Sequence, residues 1–162
     1  MKKGIIGGLI GLLSGILIAE IYIKKLLHSL NEEFWEKEKY VGYFMIMDDW
    51  LAMKEENIRL EQFFKRYHYG TVAIYGMGRL GNLLYDELAH SDIKVKYGID
   101  QTGGRMYRNL EIISKDGKLE PVDAIIVTAV FDFDSIKDEL KKRVDCPVIS
   151  LEEVIYPLCR RV

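Results

Sequence analysis

The stretch VAIYGMGRLGNLLYDEL, Val72 to Leu88, joins an apolar strand to an amphipathic helix through a turn holding three glycines. A strand that is apolar along its whole length must be covered on both faces, and a strand that feeds straight into a helix belongs to a crossover between parallel neighbours. The same alternation continues down the chain. TVAIY is followed by a helix over 80–90, then IKVKYGID, a short LEIIS, DAIIVTAV, a helix over 134–144, PVIS and a last short helix ending at Leu158. Strands separated by helical segments predict an α/β domain over 70–162, built on a small five-stranded doubly wound parallel sheet.

Within the turn, Gly76, Gly78 and Gly81 fit G-x-G-x-x-G, and Asp100 ends the next predicted strand nineteen residues after Gly81. In a phosphate-binding turn of this form, the first glycine permits the tight bend and the second removes a side chain where a pyrophosphate approaches. The third lets the helix pack close to the sheet, and the helix start offers unpaired N–H groups to an anion. Asp100 is placed to accept hydrogen bonds from ribose hydroxyls. Thr128 and Asp132 fall near the carboxyl end of DAIIVTAV, the edge where open parallel sheets hold ligands. Arg79 is either a charged donor to a phosphate or an exposed first residue of the helix. Arg105 and Arg108, in QTGGRMYRN, either meet a second phosphate or sit in a solvated, mobile loop. The same glycines also serve an empty structural turn. Asp134 is read as the N-cap of the helix that follows.

Ahead of this domain the chain has a different texture. GIIGGLIGLLSGILIAEIYI, between Lys3 and Lys24, is twenty residues with Glu20 as its only strongly polar member. At ~1.5 Å per residue such a helix spans the ~30 Å hydrocarbon layer, so residues 1–23 are expected to form a transmembrane helix rather than a cleaved signal peptide. Gly7, Gly11, Gly15 and Ala19 recur every fourth residue, with Gly4 and Gly8 beside them, a stripe suited to homo-oligomer formation in lipid. The lysines downstream favour a single-pass arrangement in the cell membrane with the soluble domain cytoplasmic. Residues 24–69 are expected to form an amphipathic helical stalk, with a helix break near Asn57 and a core-facing set that includes Phe44, Met47, Trp50, Leu51, Met53, Phe63 and Phe64. In KRYHYG, Lys65, Arg66 and His68 fall in a last helical turn, and Gly70 is the expected left-handed cap.

Composition narrows the chemistry. Lys and Arg number 23 against 25 Asp and Glu, which gives no basic face for nucleic acid. Cys146 and Cys159 have neither metal-ligand spacing nor a C-x-x-C partner, and His28, His68 and His90 are scattered, so no metal site is expected.

AIYGMGRLGNLLYDEL, VKYGIDQ, VDAIIVTAVFDFDSIKDEL and CPVISLEEVI together resemble the Rossmann-like or CoA-binding-like module of bacterial sugar-nucleotide dehydratases and epimerases and of related surface-polysaccharide biosynthesis proteins. The resemblance covers about 71–155. It implies a phosphate-binding turn at Gly76, Met77, Gly78, Arg79, Leu80 and Gly81, a strand-end acid at Asp100, NAD(P) or a nucleotide sugar as ligand, and glycan-biosynthesis enzymes as partners. The further catalytic domain of those enzymes has no counterpart in the chain, nor is there a Y-x-x-x-K pair to hold a ribose and move a proton. Three expectations stand side by side: a membrane-anchored binding module accessory to envelope polysaccharide assembly; an epimerase, dehydratase or oxidoreductase completed by a partner; and a ligand-free membrane scaffold.

Overall fold

The structure, a computed structural model, describes residues 2–159, with side chains described at Gly15 and from Ile18 onward. The chain divides into two compact units, Met1–Phe44 and Met45–Val162. The first helix, α1 (Lys2–Glu55), supplies all of the described first unit and runs into the second. Among the described residues no helix is long and apolar enough to cross a membrane. The expected anchor over 1–23 is helical in its backbone from Lys2, but most of its side chains, with Gly4, Gly7, Gly8 and Gly11 of the stripe, lie outside the described residues.

The second unit is α/β with a six-stranded, mostly parallel sheet. After α1 come α2 (Glu61–Arg66), β1 (Thr71–Tyr75), α3 (Arg79–Leu88), β2 (Lys94–Asp100), β3 (Arg105–Tyr107), β4 (Leu110–Ser114), β5 (Ala124–Val127), α4 (Phe133–Leu140), β6 (Val148–Ser150) and α5 (Leu151–Cys159). The strand order is β3-β4-β2-β1-β5-β6, with β3 alone antiparallel. The sheet therefore has six strands where five are expected. The added one, β3, lies in the stretch read from sequence as a mobile loop. It pairs with β4 through a two-residue turn in which Arg108 adopts φ 51°, the positive φ that tight hairpin turns require.

Burial follows from position. Val72 through Tyr75 and Ala124 through Val127 are buried without alternation, because β1 and β5 are central strands with covered faces. On one face Ala73, Tyr75, Tyr97, Ile99, Ile125, Val127 and Val148 meet Leu140, with Phe133 and Ile136 of α4 packed against them. Elsewhere in the core, α3 buries Leu80, Leu84 and Leu88 at four-residue intervals. The last turns of α1 bury Ile46, Trp50 and Met53, and Leu60, Phe63 and Phe64 are buried with them. Cys159 Sγ lies 3.5 Å from the Asp49 carbonyl, which sets α5 beside the end of α1.

The break near Asn57 is present, with Asn57 at φ 57°. At the end of α2 the left-handed residue is His68, at φ 59°, and not Gly70. Gly70 N and Thr71 N instead donate to the Asp123 carboxylate at 2.9 and 2.7 Å, drawing the chain into β1. Asp134 is not a cap either. A 3-10 turn over Val130–Asp132 brings the chain into helix earlier, so α4 begins at Phe133 and Asp132 occupies the cap position without a side-chain cap bond.

Candidate functional site at the carboxyl edge of the sheet

The strand order reverses at β1: β2 and β4 lie on one side, β5 and β6 on the other. Such a switch point leaves a crevice at the carboxyl ends of the two strands flanking it, here between β1 and β5. Gly76 and Thr128, the residues just after those strands, meet there. Thr128 is buried, and its hydroxyl donates to the Gly76 carbonyl at 2.5 Å and lies 3.2 Å from the Tyr75 carbonyl. Gly76 N donates to the Ile99 carbonyl at 2.8 Å, tying the turn to β2.

The three glycines have separable physical causes. Gly76 sits at φ 92°, which L side chains rarely adopt, and a Cβ on it would approach Thr128 Oγ1 to 2.8 Å. A Cβ on Gly81 would run into the Gly76 carbonyl, so its bare backbone is what lets α3 start close against the turn. Gly78 differs. It has φ −85° and ψ −153°, it is exposed, and a Cβ placed on it would meet nothing within 4 Å.

Met77 and Leu80 point inward. Both are buried, and the Met77 side chain lies so close over Gly98 that a Cβ there would come within 2.6 Å of Met77 Cγ. Arg79, by contrast, is exposed at the first position of α3. The backbone N–H groups of Gly78, Arg79 and Leu80 have no acceptor among the described residues, and Gly78 provides no side-chain cap. They therefore present donors and positive potential to the edge of the sheet.

Asp100 ends β2 at this edge, and Arg105 holds it. One guanidinium nitrogen lies 2.6 Å from Asp100 Oδ2 and 3.5 Å from the Met77 carbonyl, while Asp100 Oδ1 accepts from Gln101 N at 2.7 Å. Arg108 is paired too: its Nε is 2.7 Å from Asp86 Oδ1 on α3, and Tyr107 donates its hydroxyl to Asp86 Oδ2 at 3.1 Å. The β3–β4 hairpin is thus fastened to α3 and delivers Arg105 to the turn. The sequence offered both arginines but not their partners. Asp132 is exposed in the 3-10 turn after β5.

Away from this edge, Phe64, His68, Tyr69 and Ile93 line an open hollow of about 320 Å³ at the amino-terminal side of the sheet. Among the described residues no group of three or more His, Cys, Asp and Glu could hold a metal ion. Burial pushes the thiols of Cys146 and Cys159 up from their ordinary range, away from the thiolate a nucleophile needs. No protein-family model matches the chain, and neither curated proteins nor solved structures give a match.

Proposed function

We propose that the carboxyl edge of the sheet receives the phosphates of a nucleotide, dinucleotide or nucleotide sugar, on a Rossmann-like module tethered to the cell membrane by residues 1–23. The observation that carries this reading is Gly78. Gly76 is required by its backbone and Gly81 by the turn packed against it, but nothing in the fold asks for a missing side chain at 78. A ligand does: its phosphates would stand where the side chain would, facing the free N–H groups at the start of α3. Arg79 is the neighbouring cation, and Asp100 is placed for a ribose diol once Arg105 is displaced from it. A role accessory to envelope polysaccharide assembly, alongside glycan-biosynthesis enzymes, rests on the sequence resemblance.

The test is calorimetric titration of the full chain in nanodiscs with NAD, NADP, CoA and UDP-sugars. Gly78→Leu should lower affinity for the ligand found at least tenfold while leaving the melting temperature unchanged, since an exposed site with open space around it tolerates a side chain. Equal affinity in both proteins would remove the phosphates from this turn.

One pair of contacts favours a second reading. Arg105 already occupies Asp100, and the Thr128 hydroxyl already serves the Gly76 carbonyl, as they would in a ligand-free membrane scaffold. No heat with any of the four ligand classes would favour that account.

A further inference from the structure

Within the first unit, α1 exposes an apolar row interrupted once. Ile23, Leu27, Leu30, Phe34, Val41 and Phe44 are each more than half exposed, from 54% at Leu30 to 68% at Phe44. With Lys37 filling the one gap, the row advances by four and three residues in strict alternation, twenty-one residues in six steps, or 3.5 per step. This is the repeat that keeps one seam of a helix facing a like helix in a left-handed supercoil, whereas a straight helix advances by about 3.6. Leu27, Phe34 and Val41 take the a positions, and Ile23, Leu30, Lys37 and Phe44 take the d positions.

Charge decides what covers the row. Around its centre stand Glu32, Glu33, Glu36 and Glu38, with only Lys37 and Lys39 to oppose them. Helices that lie on membranes carry Lys and Arg on the polar face, because the lipid surface is anionic, so this acidic flank disfavours lipid. A second copy fits it. In a parallel, in-register pair each d-position Lys37 packs beside Glu38 of the other copy. Glu33 and Glu38, which face each other as like charges in the flanking g and e positions, are bridged by the two lysines. A single charged residue in an otherwise apolar seam costs stability and fixes alignment.

We propose that the row Ile23 to Phe44 is covered by the same row of a second copy of this chain, as a parallel, in-register two-stranded coiled coil pinned at Lys37. The interface is independent of the nucleotide reading.

The test uses the full chain in lipid nanodiscs or vesicles, with Cys146 and Cys159 replaced by serine. Phe34→Cys, on the seam, should give a disulfide-linked dimer under mild oxidation. Lys39→Cys, on the opposite side of the helix, should not, because a disulfide needs Cα atoms within roughly 7 Å. Lys37→Glu should weaken the dimer at least tenfold by light scattering in detergent, and Lys37→Glu combined with Glu38→Lys should restore it. Helical circular dichroism serves as the folding control. A monomeric mass, or equal crosslinking at 34 and 39, overturns the proposal. Failure of the charge swap to restore the dimer overturns the alignment.

Discussion

Glu87 joins three elements through one carboxylate, and removing it should cost more than any surface substitution in the second unit. The side chain is 10% exposed. Its Oε2 accepts from Trp50 Nε1 at 2.7 Å, and Oε1 accepts from the backbone N–H of Leu60 at 3.1 Å. Lys54 Nζ lies 2.8 Å from Oε2, but the lysine is half exposed, and exposed ion pairs contribute about 0–1 kcal/mol. The two hydrogen bonds carry the weight. Trp50 is 5% exposed and Leu60 is fully buried, so Glu87→Ala leaves two donors without an acceptor and without ready access to water. At about 1–3 kcal/mol for each unsatisfied buried donor, the loss is about 2–6 kcal/mol. For a unit of this size that lowers the melting temperature by on the order of 10 °C. Glu87→Gln, which keeps an acceptor oxygen, should recover part of it. The assay is thermal melting of the full chain in detergent, followed by near-ultraviolet circular dichroism and repeated in a Trp50→Phe background. There the orphaned indole N–H no longer exists, and Glu87→Ala should cost at least about 1 kcal/mol less. A loss below about 1 kcal/mol for Glu87→Ala, or additive losses in the double mutant, would refute the reasoning.

Gly81→Ala drives a methyl into the Gly76 carbonyl and should destabilise by about 2 kcal/mol or more, while Gly78→Ala should stay within about 0.5 kcal/mol; equal shifts in melting temperature would contradict the separate roles assigned to the two glycines. Asp123 accepts from Thr71 N, the Thr71 hydroxyl and Gly70 N, which hold its carboxyl below the ordinary carboxylate range. A depressed folded value means that its stabilisation is present above the unfolded value of about 3.9 and is lost as pH falls through the lower folded one. Wild type and Asp123→Asn should therefore differ in denaturant midpoint at pH 6, with the difference shrinking as pH falls below about 3.9, and a difference constant with pH would exclude this source of acid lability.

The central strands and the helices α3, α4 and α5 were legible because each carries a strong period or an unbroken apolar run: Val72–Ile74 and Ala124–Val127 for the sheet, Leu80, Leu84 and Leu88 for the helix. The break at Asn57 was legible for a different reason, since the polar run Lys54, Glu55, Glu56 and Asn57 interrupts the apolar residues there. β3 was not. It is three residues long, mostly exposed, and its turn uses Arg108 and Asn109 in place of the Asn-Gly pair that marks hairpins in sequence. At the candidate site the glycine spacing and the position of Asp100 could be read, because they are local. The partners could not: Arg105 reaches Asp100 only because β3 folds back antiparallel, and Glu87 meets Trp50 and Leu60 across 37 and 27 residues, beyond the range of any periodicity. At the end of α2 the sequence points to Gly70, because glycine is the commonest left-handed cap, whereas His68 takes that backbone and Gly70 is held by Asp123.

β3 and β6, at the two margins of the sheet, are each three residues long. One margin carries a paired arginine and the other is buried throughout. Neither offers a long, flat ladder onto which a foreign strand could zip, so growth by strand addition, the common route from α/β domains to aggregates, is discouraged at both ends. A molecule built this way can crowd against its neighbours without fusing sheets with them.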